Sequence, residues 1–373
     1  MKIPDFIFVK KWWFYLFLFF GTASCWAQPS FRGLENLFTS PESYVVRHTS
    51  VKPVIDGNIT DAVWQNASWS NFFRDIEGKS KPDPYYKTRV KMLWDDNYMY
   101  FAADIEDNHV WANLRNHDEV VYNDNDFEIF IDPDNNTHQY FEVEVNALNT
   151  IFDLFLSKPY RNNSHELVGW NAEGMRTAVK IHGTLNNPKD KDKGWTVEIA
   201  IPIKALTIGG NVVIPEEGTL WRINFSRVEW NTDIINGKYV KKKSPEGKVL
   251  PENNWVWSPP GLINMHYPER WGYLLFTAKQ NPNQLPDFKL PYVEKQKQYL
   301  WLVYYRQKEY MNKHKRYAST LEELNIYPAT FELDNAENSL VMEATAHQFN
   351  ATISSLNNNT WSINDEGLIE VRK

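Results

Sequence analysis

Carboxylates, aromatic rings and the guanidiniums of two loops are the side chains here with the means to do chemistry or hold a polar ligand. Glu128, Glu144, Glu198, Glu229 and Glu269 are candidates for the carboxylate pair that glycosidic hydrolysis requires. Their spacing does not say which of them face one another. Two long stretches mix rings with charges. Trp111, Arg115, His117, Asp118 and Tyr122 precede the run Phe127–Ile131, and Trp255, Trp257, His266, Tyr267, Glu269 and Arg270 precede the run Gly272–Thr277. Brought to one place, they would offer stacking faces, a guanidinium and carboxylates, a combination suited to polyols. Asp132, Asp134 and Asn136 put oxygen ligands on one turn, as calcium requires, although the same residues make an ordinary β-turn. No G-x-S-x-G, HExxH or phosphate-cradling loop is present, and no His/Cys spacing suits zinc.

The elements that must position these residues are short and alternating. Thr88–Trp94 and Tyr98–Ile105 flank the turn Asp95-Asp96-Asn97 and predict a hairpin. Phe127–Ile131 stops at Asp132–Asn136, and Tyr140–Val145 returns from that turn. Ile151–Leu156, Met175–Ile181, Thr196–Ile201, Trp221–Val228 and Gly272–Thr277 complete at least nine strands with no long helical period between them. The expectation is a mainly β chain, an antiparallel β-sandwich of immunoglobulin or jelly-roll type over residues 46–278. In Phe127–Ile131 the period of two puts Phe127, Ile129 and Ile131 on one face and Glu128 and Phe130 on the other. Glu128 and Glu198 are each expected to be a structural charge, paired with Arg222, Arg227 or a backbone turn, because an unpaired buried charge is costly.

Both ends of the chain change character. Lys10-Lys11, the apolar run Trp12–Gly21 and the small residues up to Ala27 describe an export signal over 1–27, too short to remain as a membrane span. The single cysteine, Cys25, is either discarded with that segment or lipidated as its new terminus; Thr22 in place of the usual leucine favours removal. The mature chain then has no thiol chemistry, and the pattern suits a bacterial protein placed in the periplasm, at the cell surface or outside the cell. Residues 28–45 are read as a linker. The prolines of 279–291 mark a second linker, and Tyr292–Tyr317 carries a helical period followed by three or four short strands, a small α+β unit over 292–373. Net charge is −7 with scattered basic residues, which leaves no concentrated basic face for nucleic acid. Sixteen Trp, 19 Tyr and 21 Phe exceed what a core needs and suit stacking on sugar faces.

From Val51 to Phe276 the chain resembles the family 9 carbohydrate-binding modules. The resemblance rests on ordered pieces: Asp56-Gly57…Asp61…Trp64, Val90–Trp94 with Tyr98–Ala102, Asp126–Pro133, Gly194–Pro202, Trp221–Arg227, and Trp257-Ser258-Pro259 with Pro268–Gly272. It implies a non-catalytic sandwich that holds a glycan end between two aromatic rings and carries structural calcium. The first ring position falls at Tyr122 and the second at or near Met265, with His266 and Tyr267 beside it. Where the family has an arginine after the Asp-Pro turn, this chain has Glu142 and Glu144. The expected ligand set is therefore Trp111, Arg115, Tyr122, Trp257, His266, Tyr267, Glu269 and Arg270, with Asp132, Asp134 and Asn136 for calcium. A glycoside hydrolase is the second reading. A haem sandwich is the third and ranks last, because the adjacent Met265 and His266 do not reach opposite faces of one iron. Tyr305–Leu324 resembles the helix end of type IV pilin-like proteins, which implies docking to envelope or other proteins.

Overall fold

The computed structural model describes residues 28–207, 215–278, 285–356 and 358–372. The proposed export signal with Cys25, and residues 279–284 of the second linker, lie outside them. In chain order the strands are β1 (Ser43–His48), β2 (Arg74–Asp75), β3 (Thr88–Trp94), β4 (Tyr98–Glu106), β5 (Asp126–Asp132), β6 (Tyr140–Asn146), β7 (Ile151–Leu156), β8 (Glu166–Leu167), β9 (Arg176–Ile181), β10 (Gly194–Pro202) and β11 (Leu220–Glu229). They continue as the ribbon β12 (Thr232–Ile235) and β13 (Lys238–Lys241), then β14 (Asn253–Val256) and β15 (Gly272–Thr277).

One sheet runs β8-β7-β6-β5-β11-β15-β1-β3-β4-β10-β9, with β14 and β2 branching from β11. It curls over itself. Phe101 of β4 stacks edge-on against Phe225 of β11, 5.8 Å between ring centres, although β15, β1 and β3 lie between those strands in the sheet. The enclosed core is apolar throughout, with Val90, Ile129, Val143, Val197 and Ile223 from both halves. The chain is thus mainly β. Its pairings are not all antiparallel: β1 runs parallel to both β15 and β3 and closes the path between the two halves. Local sequence sets the turns. In the β3–β4 hairpin, Asp95 Oδ1 accepts the N–H groups of Asn97 and Tyr98.

The C-terminal residues form helix α1 (Tyr292–His314) and a meander of β16 (Thr330–Leu333), β17 (Ala336–Ala344), β18 (Phe349–Ser355), β19 (Thr360–Asn364) and β20 (Ile369–Arg372). The helix packs on its own meander and on the large sheet. Glu294 accepts from Arg222 and Tyr273 of the large sheet, and Ile369 N–H donates to Asn136 O. Residues 28–45, expected to be a linker, do not hang free: Phe31, Leu34, Leu37 and Phe38 join the apolar cluster around α1. The side of α1 that bears Leu300, Leu302, Val303 and Tyr304 is buried inside the chain.

Candidate functional site

The residues that alternate away from the core on β5, β6 and β7 make the floor of a cleft of about 570 Å³. The register explains its composition. Ser226 of β11, Glu128 of β5, Glu144 of β6 and Phe152 of β7 form one cross-strand row, and Phe130, Glu142 and Leu154 form the next. Directly opposed residues share a face, so three glutamates converge. The walls come from elsewhere: Tyr122 and Val120 before β5, Tyr160 and Glu166 beyond β7, Glu252 and Asn254 around β14, and Ile263 to His266 before β15.

The positions that the resemblance singled out meet here. Tyr122 is partly exposed on the wall, and its N–H donates to Glu144 Oε2. Met265 is held at the opposite wall by its carbonyl, which accepts from Trp271 Nε1 at 2.7 Å. His266 Nδ1 lies 2.9 Å from the Tyr140 hydroxyl. Burial, with help from the Arg161 charge, pushes its pKa down to about 4, so it is neutral at pH 7.

The electrostatics of the floor are one-sided. Five glutamates line the cleft, and among the described residues no lysine or arginine does. The expectation that Glu128 pairs with Arg222 or Arg227 is not met. Arg227 is taken by Glu229 and Asp107, and Arg222 by Glu294. Burial, reinforced by the neighbouring carboxylates, pushes Asp126, Glu142 and Glu144 well above the usual carboxylate range. Burial pushes Glu128 up to about 7. Glu198 fits its structural reading: it accepts from Trp64 Nε1 and from the N–H groups of Asp56 and Gly57.

The remaining expected ligands lie elsewhere. Trp111 is buried against Val228 and Trp230, behind the wall. The Arg115 backbone N–H is held by Glu119, in a group apart from the lining residues. Trp257 is buried where Gly272 leaves it room: a Cβ there would sit 2.3 Å from its ring. Tyr267 receives the Arg161 guanidinium 4.4 Å from its ring centre. Glu269 is buried between Arg161 and the Tyr305 hydroxyl, and Arg270 donates to Thr39 Oγ1. The segment before β15 therefore splits, Ile263 to His266 turning to the cleft and Tyr267 to Arg270 to the α1 contact. Two ring-bearing loops were legible in the sequence; the acidic floor was available in Tyr140–Val145, where alternation puts Glu142 and Glu144 on one face. Tyr160, Glu166 and Glu252 carry no such local signal.

The proposed calcium residues do not make a cage. Asp132 accepts the N–H groups of Asn135 and Thr137, one on each oxygen. Asn136 donates to Asp134 Oδ2 and accepts from the His138 N–H. That leaves Asp134 Oδ1 as the buried unpartnered oxygen of the set, against the six to eight that calcium takes.

Residues 55–247, just over half of the chain, match a family model described as carbohydrate family 9 binding domain-like. Endo-1,4-beta-xylanase A of Thermoanaerobacterium saccharolyticum is 27% identical over 228 residues, 61% of this chain and 16% of that protein. Exoglucanase XynX of Acetivibrio thermocellus is 26% identical over 163 residues, 43% of this chain and 12% of that protein. The chain thus spans a small fraction of the length of these relatives. Among solved structures, a family 9 carbohydrate-binding module from Caldicellulosiruptor kristjanssonii in complex with cellotriose matches at 18% identity and TM-score 0.38, over 66% of this chain and all of that one. A putative carbohydrate-binding protein from Bacteroides uniformis matches at 15% identity and TM-score 0.46, over 64% and 100%. By the family model that spans β2 to β13, this chain belongs to the carbohydrate family 9 binding domain-like proteins.

Proposed function

We propose that this is an exported, non-catalytic protein that holds the end of a glycan in the acidic cleft. Family membership supports carbohydrate recognition as the general activity. One observation supports this cleft as the place: Tyr122, Met265 and the Glu142/Glu144 strand, widely separated in sequence, all line it. Tyr122 offers a flat face to a sugar ring, and the carboxyls and Asn254 offer partners for hydroxyls. Glu128, Glu142 and Glu144 lie side by side on the floor of one sheet, an arrangement for reading hydroxyls more than for attacking a bond from two sides.

The test is a glycan array followed by calorimetry on the mature protein. Binding to at least one glycan is expected, and Tyr122→Ala should weaken it about 5- to 20-fold, the worth of one stacked ring. A folded protein that binds no glycan would refute the reading, as would full affinity in Tyr122→Ala. Export is tested by the N-terminal sequence of the mature protein, expected to begin at Gln28; retention of residues 1–27 would refute it.

A further inference from the structure

From the inner end of the cleft we infer a second ligand: a divalent, oxygen-loving cation of the calcium class, held by Asp126, Glu128 and Glu144. One carboxylate oxygen from each of these residues lies within 4.8 Å of the others, about twice a calcium–oxygen distance. The three residues come from two adjacent strands and are all buried. The set contains no nitrogen or sulfur donor, which favours a hard cation over zinc or copper.

An acidic cluster alone would not carry this. Two further atoms point to a missing partner. Asp126 is fully buried; its Oδ1 accepts the Val228 N–H, and its Oδ2 has no partner. Ser226, also fully buried and on a different strand, is directly opposite Glu128 in the register, and its Oγ makes no hydrogen bond of good geometry. A dehydrated carboxylate oxygen with no partner, and a dehydrated hydroxyl in contact with Glu128 itself, converge on the same spot as two more carboxylates. Leaving such groups unsatisfied is costly. The cations that would ordinarily relieve them are committed elsewhere: Arg227 to Glu229 and Asp107, Arg222 to Glu294, and Lys241 to the face of Trp230 at 3.3 Å. Three carboxylates and one hydroxyl fill part of the coordination sphere of a calcium ion, which takes six to eight oxygens. The open positions then face the cleft, where a pair of sugar hydroxyls can complete them. This last step rests on the glycan reading of the same cleft; the cation site itself does not. It is distinct from the Asp132–Asp134 turn, where both oxygens of Asp132 and one of Asp134 are already engaged.

The experiment titrates metal-free mature protein with calcium chloride by calorimetry, and with terbium by sensitised luminescence, since Tyr122 and Tyr160 line the cleft. One equivalent of calcium should bind. Glu128→Gln and Asp126→Asn should each weaken it at least about 10-fold, while Asp134→Asn leaves it unchanged. Glu128→Gln relieves like-charge repulsion without removing a backbone hydrogen bond, so it should melt no lower than the metal-free parent. No calcium binding at about 1 mM overturns the inference. So does calcium affinity that survives both site variants or is lost in Asp134→Asn. Glucosamine that binds in EDTA and is lost in Glu128→Gln also overturns it, by making the floor an ammonium pocket. Repeating the glycan array with calcium and with EDTA separates the two readings. Glycan binding indifferent to EDTA keeps the glycan and removes the cation's part in holding it, whereas calcium binding without any glycan keeps the cation and removes the glycan.

Discussion

Replacing Glu294 with alanine should unfasten α1 from the large sheet at a measurable cost. Glu294 is buried and accepts four hydrogen bonds: Asn135 Nδ2 at 2.9 Å and Lys297 Nζ at 2.8 Å on one oxygen, Arg222 Nη2 at 3.2 Å and the Tyr273 hydroxyl at 3.1 Å on the other. Removing it leaves two buried cations. Breaking a buried pair from one side costs about 3–5 kcal/mol. Arg222 keeps Trp271 O, the Tyr273 hydroxyl and Asn135, and Lys297 keeps the Trp361 ring. The lower end, about 3 kcal/mol, is therefore expected, or a Tm drop of about 4 °C for a chain of this size. The loss has a pH signature. Burial alone would raise the Glu294 pKa, but Lys297 and Arg222 outweigh it and hold it below its usual value of 4.5. A depressed carboxylate stabilises the fold above its unfolded pKa, and that stability disappears as pH falls through the lower folded value. The gap between wild type and Glu294→Ala should be constant from pH 5 to 8 and close below about pH 4. Thermal melts across that range measure it. A gap under about 1 kcal/mol at pH 7, or one that widens on acidification, would show that the network does not hold the two parts together.

Gly272→Ala should destabilise by about 2–3 kcal/mol, because the added methyl lands 2.3 Å from the Trp257 ring in a packed core. Urea unfolding reads it, and a neutral result would mean that the core yields there. Glu198→Ala should cost about 3 kcal/mol by stripping the acceptor from Trp64 Nε1 and two backbone N–H groups, and should leave glycan affinity unchanged. Lost binding in a folded Glu198→Ala protein would give that carboxylate a role beyond the Asp56–Trp64 turn.

The sequence by itself determined nine of the fifteen strands up to Thr277, and the family. Period-two alternation placed Thr88–Trp94, Ile151–Leu156 and Gly272–Thr277 at the bounds the fold adopts, because the side chains that face a core must alternate. It also identified α1, whose apolar residues recur at helical spacing. Tertiary structure decided what pairs with what. The parallel strand β1 joins two halves of the sheet that are distant in sequence, and no local pattern encodes such a pairing. The same holds for the site. Trp111, Trp257, Tyr267, Glu269 and Arg270 have the right chemistry for a sugar, but packing commits them to the core, the wall or the α1 contact, Tyr267 half-buried and the others buried. Glu128 looked like one half of a salt bridge. Whether it is depends on where two arginines end their reach, and both end on other carboxylates. Residue type and spacing fix the face on which a side chain lies; its partner is fixed by the register of strands far apart in sequence, and here that register stacks three glutamates and leaves the cations outside.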